Sequence, residues 1–272
     1  MAIITLTSDW GYSDFYVAAV KGTILSQIPD AVIVDISHDI APFNVRQAGF
    51  VLKNCFRDFP QGTIHIIGIN SIESKECPHV VIKADGHFFI AADNGVFGQI
   101  LTDFEEAVTI EVPQDTDSFN FVTRDRFVKV AAMIANGVPL SEIGSPYKRL
   151  NGGLFCAVVR DNSIEGHVIH IDSYGNLITN ITKEVFELER RGRQFKILVK
   201  GNFYTLYTID KISDSYLDVD KADLVAVFGS HGNLEIALNR AKLATLCGIE
   251  LDSPILVKFG EDDVQPTKVS LF

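Results

Sequence analysis

Short apolar runs alternate with helical patterns through the first half of the chain. Residues 3–6, 32–36 and 63–69 are almost continuously apolar, which is typical of strands covered on both faces of a sheet. Between them, residues 15–27 and 45–56 carry helical periodicity. Strands that alternate with helices in this way predict an α/β domain with a mostly parallel sheet.

The pattern changes near residue 152, where Gly152 and Gly153 follow Pro146. A helical pattern is found there only at 234–246. We therefore predict an α/β domain over 1–150 and an all-β domain of barrel or sandwich type over 151–272. The β-type runs that support this are 168–171, 177–181, 195–199, 224–228 and 255–259.

The composition of the chain limits the kinds of ligand and partner that it is expected to bind. The 272 residues carry a net charge of −11, which argues against a nucleic-acid surface and favours a small-molecule ligand. No apolar run reaches the ~18 residues that a membrane-spanning helix needs. We expect no signal peptide, because the first residues lack a basic region and a small-residue cleavage site. No CxxC spacing occurs, so we expect buried free thiols and a cytoplasmic protein. The cysteines are Cys55, Cys77, Cys156 and Cys247.

The stretch richest in chemistry is 170–180, His-Ile-Asp-Ser-Tyr-Gly-Asn-Leu-Ile-Thr-Asn. A strand that ends at Asp172, a turn at Tyr174 and a new strand after Asn176 would aim these three side chains at one point. A carboxylate, an aromatic ring and an amide together suit an amine-bearing ribosyl or aminoacyl ligand.

A second polar cluster, Ser-Asp-Trp-Gly at 8–11, follows the first predicted strand. Ligands of open α/β sheets bind at the carboxyl ends of strands, and a carboxylate at Asp9 can accept two hydrogen bonds from a ribose diol. The alternative is a helix cap, which fits Asp14 better than Asp9. Glycine-rich phosphate loops are absent from the sequence, which favours a ligand with ribose but without phosphate.

Four further clusters each allow two interpretations. Residues 35–39, Asp-Ile-Ser-His-Asp, have the composition of a metal site, but a hydrogen-bonded histidine at a strand end fits better, and we predict no metal. Asp93 either belongs to a tight turn that caps the next helix or contacts a ligand at the edge of the sheet. Thr123 and Arg124 precede a predicted helix. Thr123 either caps this helix or lies where the helix N-terminus binds a ligand carboxylate, and Arg124 either forms a structural salt bridge or binds that carboxylate. Ser230 lies in a turn between a predicted strand and a predicted helix. This turn either caps the helix or binds the ligand through its backbone amides.

Nine short motifs occur in an order and at spacings that match one family. They are Thr-Ser-Asp-Trp-Gly at 7–11, Val-Lys-Gly at 20–22, Ile-Pro-Asp at 28–30, Val-Asp-Ile-Ser-His at 34–38, Phe-Pro-Gln-Gly-Thr at 59–63, Ala-Asp-Asn-Gly at 92–95, Arg-Asp at 124–125, Ile-Asp-Ser-Tyr-Gly-Asn-Leu-Ile-Thr-Asn-Ile at 171–181 and Gly-Ser-His-Gly at 229–232. With them the chain resembles the S-adenosyl-L-methionine (SAM) hydroxide adenosyltransferases, relatives of the fluorinases and chlorinases.

The resemblance implies an α/β N-terminal domain with a mostly parallel sheet and a smaller all-β barrel C-terminal domain. It also implies a homotrimer whose sites lie between the N-terminal domain of one subunit and the C-terminal domain of its neighbour. SAM or adenosine would be the ligand, and no cofactor is implied. The implied ligand-binding residues with a stated place are Asp9 at the ribose hydroxyls, Phe43 beside the sugar, Thr123 and Asp172 at the methionine part, Tyr174 on the adenine, Asn176 at its edge, and Tyr216 and Ser230 along the ring and amino-acid regions. Asn70 and Phe121 complete the set.

The chain departs from the family pattern where water would be activated. Hydrolases of the family carry an aspartate after the third strand, an arginine soon afterwards and a histidine before the Arg-Asp motif. Here the first position is Asn70, the second falls near Lys75 and Glu76, and the third is Val122. Halogenases carry a tyrosine at the first position, which is also absent. An asparagine can position water but cannot take its proton.

Three functions follow as hypotheses. The first is hydrolysis of SAM to adenosine and L-methionine, with water held by Asn70 or Thr123 as the catalytic residues. SAM already carries its leaving group, so alignment and desolvation matter more than acid–base help. The second is binding of SAM or adenosine without turnover. The third is a halide-dependent adenosyl transfer.

Overall fold

The computed structural model describes residues 1–114, 120–148, 150–153, 155–202 and 205–260, and the chain divides into two units, Met1–Leu154 and Phe155–Phe272. The strands of the first unit are β1 (Ile3–Ser8), β2 (Val32–Ser37), β3 (Ile64–Gly68), β4 (His79–Ala84), β5 (His87–Ala92) and β6 (Glu106–Thr109). Its helices are α1 (Tyr16–Gln27), α2 (Val45–Lys53), α3 (Val96–Ile100) and α4 (Val128–Ala135), with a π-helical turn, Thr123–Phe127, leading directly into α4.

The first unit contains a six-stranded sheet with the order β2-β1-β3-β5-β4-β6. The strands β2, β1, β3 and β5 pair in parallel, whereas β4 is antiparallel to both β5 and β6. The sheet is therefore mixed, so the predicted α/β architecture is confirmed but a mostly parallel sheet is not. The physical reason is the tight Asp85–Gly86 turn, because both residues have positive φ and the chain reverses within two residues.

Alternation along the strands divides the apolar side chains between two faces of this sheet. Ile4 and Leu6 of β1 pack into a core with α1 and α4, while Ile67 of β3 packs into a second core with α2 and α3. Burial on both faces explains why β3 is buried along its whole length.

The second unit is an antiparallel sheet that curves into a near-barrel, with the order β11-β10-β14-β8-β9-β13-β12 and β7 beside β8. One long strand turns the corner, since the first half of β8 pairs with β14 and its second half with β9. The strands are β7 (Val158–Arg160), β8 (Ser163–Ile171), β9 (Leu177–Thr182), β10 (Phe195–Lys200), β11 (Leu206–Ile209), β12 (Leu224–Phe228), β13 (Asn233–Leu238) and β14 (Pro254–Phe259).

Three expectations for this unit are wrong. The helix predicted over 234–246 is strand β13 followed by the short helix α6 (Leu243–Cys247), because β13 pairs with β9 on one side and β12 on the other. The unit is also not all-β, since α5 (Lys183–Arg190) packs against it; its N-cap Thr182 accepts a hydrogen bond from the backbone N–H of Val185. Cys156 is exposed, which corrects the expectation that every thiol is buried.

A buried pair of histidines gives the first unit a predictable acid sensitivity. His65 is fully buried, its Nδ1 lies 2.7 Å from Thr5 Oγ1 and its Nε2 lies 3.2 Å from His87 Nδ1. Burial, with a smaller contribution from His87, lowers the pKa of His65 to about 3. The folded chain therefore keeps His65 neutral at a pH where the unfolded chain protonates it.

We expect the unfolding free energy to fall as the pH drops below about 6.5, by about 1 kcal/mol from this histidine between pH 6 and pH 5. His65→Gln removes the titrating group and should flatten the slope by that amount, as measured by urea unfolding at several pH values. An identical slope in both proteins would contradict the assignment.

Candidate functional site

Three neighbouring parallel strands of the first unit end at the same edge of the sheet. Asp9 follows β1 directly, and its Oδ2 accepts a hydrogen bond of 2.8 Å from the backbone N–H of Phe43. Phe43 has a φ of 63° and its side chain is 72% exposed. The structure thus brings together two predicted site residues that are 34 positions apart, through the backbone of Phe43 and the carboxylate of Asp9.

A polar chain runs beneath this edge. Ser8 Oγ lies 2.5 Å from His38 Nδ1, His38 Nε2 lies 3.2 Å from Asp35 Oδ1, and Lys21 Nζ donates to Asp35 Oδ2 at 2.6 Å. Burial raises the pKa of Asp35, but hydrogen bonds from Lys21 and His38 outweigh that effect and hold the pKa below its usual value. His38 is therefore the hydrogen-bonded histidine of the favoured interpretation. The sequence did not predict Lys21 as the partner of Asp35.

Aromatic side chains form a wall next to Asp9. Trp10 stacks on His38, and its ring meets the edge of Phe121 at a centroid distance of 5.6 Å. Phe121 also contacts Tyr16 at 5.2 Å. A Cβ added to Gly68 would lie 2.5 Å from the Trp10 ring, so this glycine lets the ring lie against the end of β3. The predicted residue Phe121 is thus part of an ordered apolar wall.

The loop after β3 places Asn70 in an exposed turn with a φ of 43°. Asn94 holds this turn, because its Nδ2 donates to the carbonyl oxygens of Ile69 (2.8 Å) and Asn70 (3.1 Å). Asn94 Oδ1 also accepts from the backbone N–H of Val96 at the start of α3. The Asp-Asn-Gly motif therefore fixes the backbone that carries Asn70.

Thr123 begins the π-helical turn and is buried, as is Val122 before it. Turns of this kind are frequent at functional sites. Arg124 pairs with both carboxylate oxygens of Asp125, at 2.5 and 2.9 Å. The structure therefore shows the local salt bridge, one of the two interpretations of Arg124.

A second anchor of the loop after Asn70 was missed from the sequence. Arg126 Nη1 donates to Glu73 Oε2 at 2.7 Å and lies 3.0 Å from His79 Nδ1. His79 Nε2 in turn lies 2.8 Å from the carbonyl oxygen of Ser71. These partners are separated by up to 53 positions, so no local sequence pattern predicts their contacts.

In the second unit, the junction of β8 and β9 forms a tight turn around Asp172. Its Oδ1 accepts from the backbone N–H groups of Tyr174 and Asn176, both at 2.9 Å, and its Oδ2 accepts from Asn176 Nδ2 at 3.0 Å. The Tyr174 ring is 74% exposed. The predicted trio therefore lies in one turn, with the ring outside and the carboxylate–amide pair inside.

This turn borders a cavity of about 620 Å³, a volume in the range of small-molecule sites. Four predicted residues line it, and the segment after β13 completes it without having been foreseen. Ser230 is not among the lining residues. The cavity is lined by Asp172, Tyr174, Asn176, Tyr216, Leu238, Asn239, Arg240, Ala241 and Lys242.

A buried carboxylate lies behind the cavity. Tyr216 Oη donates to Glu235 Oε1 at 2.6 Å, and His231 Nε2 lies 3.5 Å from Glu235 Oε2. Burial raises the pKa of Glu235, but hydrogen bonds from His231, Tyr216 and Asn176 bring it below its usual value. Burial and the bond to Glu235 raise the pKa of Tyr216. Glu235 was missed because the apolar residues around it suggested a helix.

Neither a metal-binding cluster nor a membrane-spanning helix is found in the part of the chain that the structure describes. Among the residues that the structure describes, no cluster of three or more His, Cys, Asp or Glu side chains is placed to hold a metal ion. Likewise, no helix in the described ranges combines the length and apolar character needed to cross a membrane.

Comparison with known proteins relates both units to the two domains of one protein family. The profile of the SAM hydroxide adenosyltransferase N-terminal domain matches residues 4–144, and that of the C-terminal domain matches residues 166–256. The chain is 31% identical to an (R)-S-adenosyl-L-methionine hydrolase of Methanocaldococcus jannaschii, over 86% of this chain and 88% of that protein.

Two further similarities cover nearly the whole chain. A fluorinase of Nocardia brasiliensis is 25% identical over 95% of this chain and 97% of its own length. The crystal structure of an uncharacterized conserved protein from Thermotoga maritima superposes with a TM-score of 0.82 at 28% identity, covering 94% of this chain and 99% of that one.

Proposed function

Because the chain belongs to the SAM hydroxide adenosyltransferase family, we propose that it binds SAM and hydrolyses it to adenosine and L-methionine. The observation that carries this proposal is the cavity bordered by the Asp172 turn, which offers an aromatic ring, an amide and a carboxylate in one place. The relatives named as SAM hydrolase and fluorinase support a SAM-converting activity.

In the second unit, the adenosyl part of SAM would occupy this cavity. Tyr174 would stack on the adenine, with Tyr216 along the ring region, and Asn176 would meet the edge of the base. Asp172 already accepts three hydrogen bonds in its turn, but a carboxylate accepts about four, so it retains capacity for the ligand ammonium. Ser230 would contact the amino-acid part.

In the first unit, Asp9 would bind the ribose hydroxyls and Phe43 would lie beside the sugar. Phe121 would supply part of the apolar wall, which lowers the polarity around the reacting C5′ carbon. Thr123 would contact the methionine part. Asn70 would hold the attacking water, since its turn is fixed by Asn94.

The proposed reaction is a displacement. A water oxygen forms a bond to the ribose C5′, the bond from C5′ to the sulfonium sulfur breaks, and its electron pair leaves with neutral methionine. The water loses its proton to solvent, because an asparagine amide cannot accept it. Catalysis then rests on alignment and desolvation, which is sufficient for a substrate that carries its own leaving group.

We also propose that the two sets of residues meet across the subunit interface of a homotrimer, as the family resemblance implies. Light scattering coupled to size exclusion should then give about three times the chain mass of 30.0 kDa. A monomer that nevertheless turns over SAM would contradict this assembly.

One observation favours a second function, the binding of SAM or adenosine without turnover. Val122 is buried and apolar, so the position offers no group that could activate water. In this case the adenosyl cavity is retained and only the chemistry is lost.

The deciding experiment incubates the purified chain with SAM, with and without chloride, and measures adenosine and chloro-adenosine by chromatography. Hydrolysis predicts adenosine above the blank in both buffers, halide-dependent transfer predicts product only with halide, and simple binding predicts heat in calorimetry without product. Asp9→Asn should lose turnover, whereas Asp14→Asn, an exposed carboxylate in the same loop, should keep it. The absence of both product and binding heat would reject the proposed function.

A further inference from the structure

The turn that carries Asp9 is contacted on both sides of that residue by His38. The His38 ring nitrogen Nδ1 lies 2.5 Å from Ser8 Oγ, and the His38 backbone oxygen accepts a hydrogen bond of 2.8 Å from the N–H of Gly11. The ring also stacks on Trp10 at a centroid distance of 6.2 Å. Ser8 and His38 are each 1% exposed, so solvent is excluded from the contact between them.

A charged pair holds the opposite side of the His38 ring. Asp35 Oδ1 lies 3.2 Å from His38 Nε2, and Asp35 Oδ2 accepts a hydrogen bond of 2.6 Å from Lys21 Nζ. An ionised carboxylate has no proton to donate, so the ring nitrogen that faces it carries the proton. In the neutral ring, Nδ1 is then the acceptor for the Ser8 hydroxyl. Because Lys21 belongs to α1 and Asp35 to β2, two regular elements set the orientation of the ring.

We propose that His38 is a positioning residue that holds Asp9 in place for its ligand through the contact with Ser8. The Lys21–Asp35 pair keeps the His38 ring in the orientation that this contact needs. The inference rests on the proposed function, in which the Asp9 carboxylate binds the ribose hydroxyls. A carboxylate distinguishes a hydroxyl from a hydrogen atom only while it is held at hydrogen-bond distance and angle.

The same segment that supplies His38 also holds the Asp9 carboxylate. The backbone N–H of Phe43 donates to Asp9 Oδ2, while His38 fixes the backbone from which the Asp9 side chain extends. The inference gives a role to two sequence motifs, 20–22 and 34–38, whose residues are not among the proposed ligand contacts.

Calorimetry on the full chain with adenosine and 2′-deoxyadenosine tests the inference. We expect the wild type to bind adenosine at least about tenfold more tightly, because the 2′-hydroxyl donates to a charged acceptor. Asp9→Asn should remove most of this preference. Ser8→Ala should lower it by at least about threefold, because the turn loses its contact with His38. Ser26→Ala, an exposed serine of α1, is the matched control and should keep the wild-type preference.

A second pair of variants tests the charged end of the chain of contacts. Lys21→Met should lower the preference for adenosine by about threefold, and Lys21→Arg, which keeps a cationic donor for Asp35, should restore it. A merely structural role predicts that both affinities fall together and their ratio stays unchanged in Ser8→Ala and Lys21→Met, and that result would overturn the inference.

Two outcomes for the wild type separate this inference from the proposed function. Equal affinities for adenosine and 2′-deoxyadenosine, with SAM still bound, would overturn the inference and leave SAM binding intact. If neither nucleoside binds and SAM gives no heat, the proposed function itself fails and the inference fails with it.

Discussion

Replacing Asp172 by asparagine is expected to weaken SAM binding by about 30-fold, since a charge-assisted hydrogen bond to an ammonium contributes about 2 kcal/mol. Adenosine has no ammonium and should lose only about threefold, through the disturbed contact between Asp172 Oδ2 and Asn176 Nδ2. Asparagine keeps the shape of the side chain, and its oxygen still accepts from the backbone N–H groups of Tyr174 and Asn176. The effect on SAM therefore arises mainly from the lost charge.

Calorimetry with both ligands separates this effect from a general loss of the site. Asp210→Asn, an exposed carboxylate of the second unit, serves as control and should bind both ligands as the wild type does. A parallel loss of SAM and adenosine binding in Asp172→Asn would show that Asp172 acts only as the centre of its turn. Wild-type affinity for SAM would remove Asp172 from the ligand site altogether.

The sequence predicts the elements best where the determining contacts are local. The turn between β8 and β9 is held by hydrogen bonds over two to four residues, from Asp172 to Tyr174 and Asn176, so the spacing of these residues already describes it. The apolar strands β1 and β3 are also predictable, because burial on both faces leaves few polar positions. The short strand β6 carries too few residues for a pattern.

The sequence does not predict contacts between residues that lie far apart along the chain. Glu235 stands among apolar residues whose spacing fits a helix, and only its pairing with Tyr216, 19 positions away, reveals a buried carboxylate behind the cavity. The same holds for the anchoring of Glu73 by Arg126 across 53 positions. Each is decided by tertiary packing, which overrides local preference.

Phe186→Ala is expected to lower the unfolding free energy by about 3–5 kcal/mol, the largest stability effect predicted for this chain. Phe186 is fully buried on α5, and its ring centroid lies 5.0 Å from that of Phe195, 5.4 Å from that of Phe228 and 5.8 Å from that of Phe259. Truncation removes apolar burial and three edge-on ring contacts at once. The strands β10 and β14, which carry Phe195 and Phe259, are held by hydrogen bonds on both sides and cannot collapse fully into the space.

Leu188, on the same helix, provides the matched control. Its side chain is 67% exposed, so Leu188→Ala should change the unfolding free energy by no more than about 0.5 kcal/mol. Urea unfolding should be followed by far-UV circular dichroism, because the single tryptophan, Trp10, lies in the first unit and its fluorescence does not report on the ring cluster. If both variants shift the midpoint equally, the loss comes from the helix as a whole. Only a shift confined to Phe186→Ala assigns the stability of this unit to the packed rings.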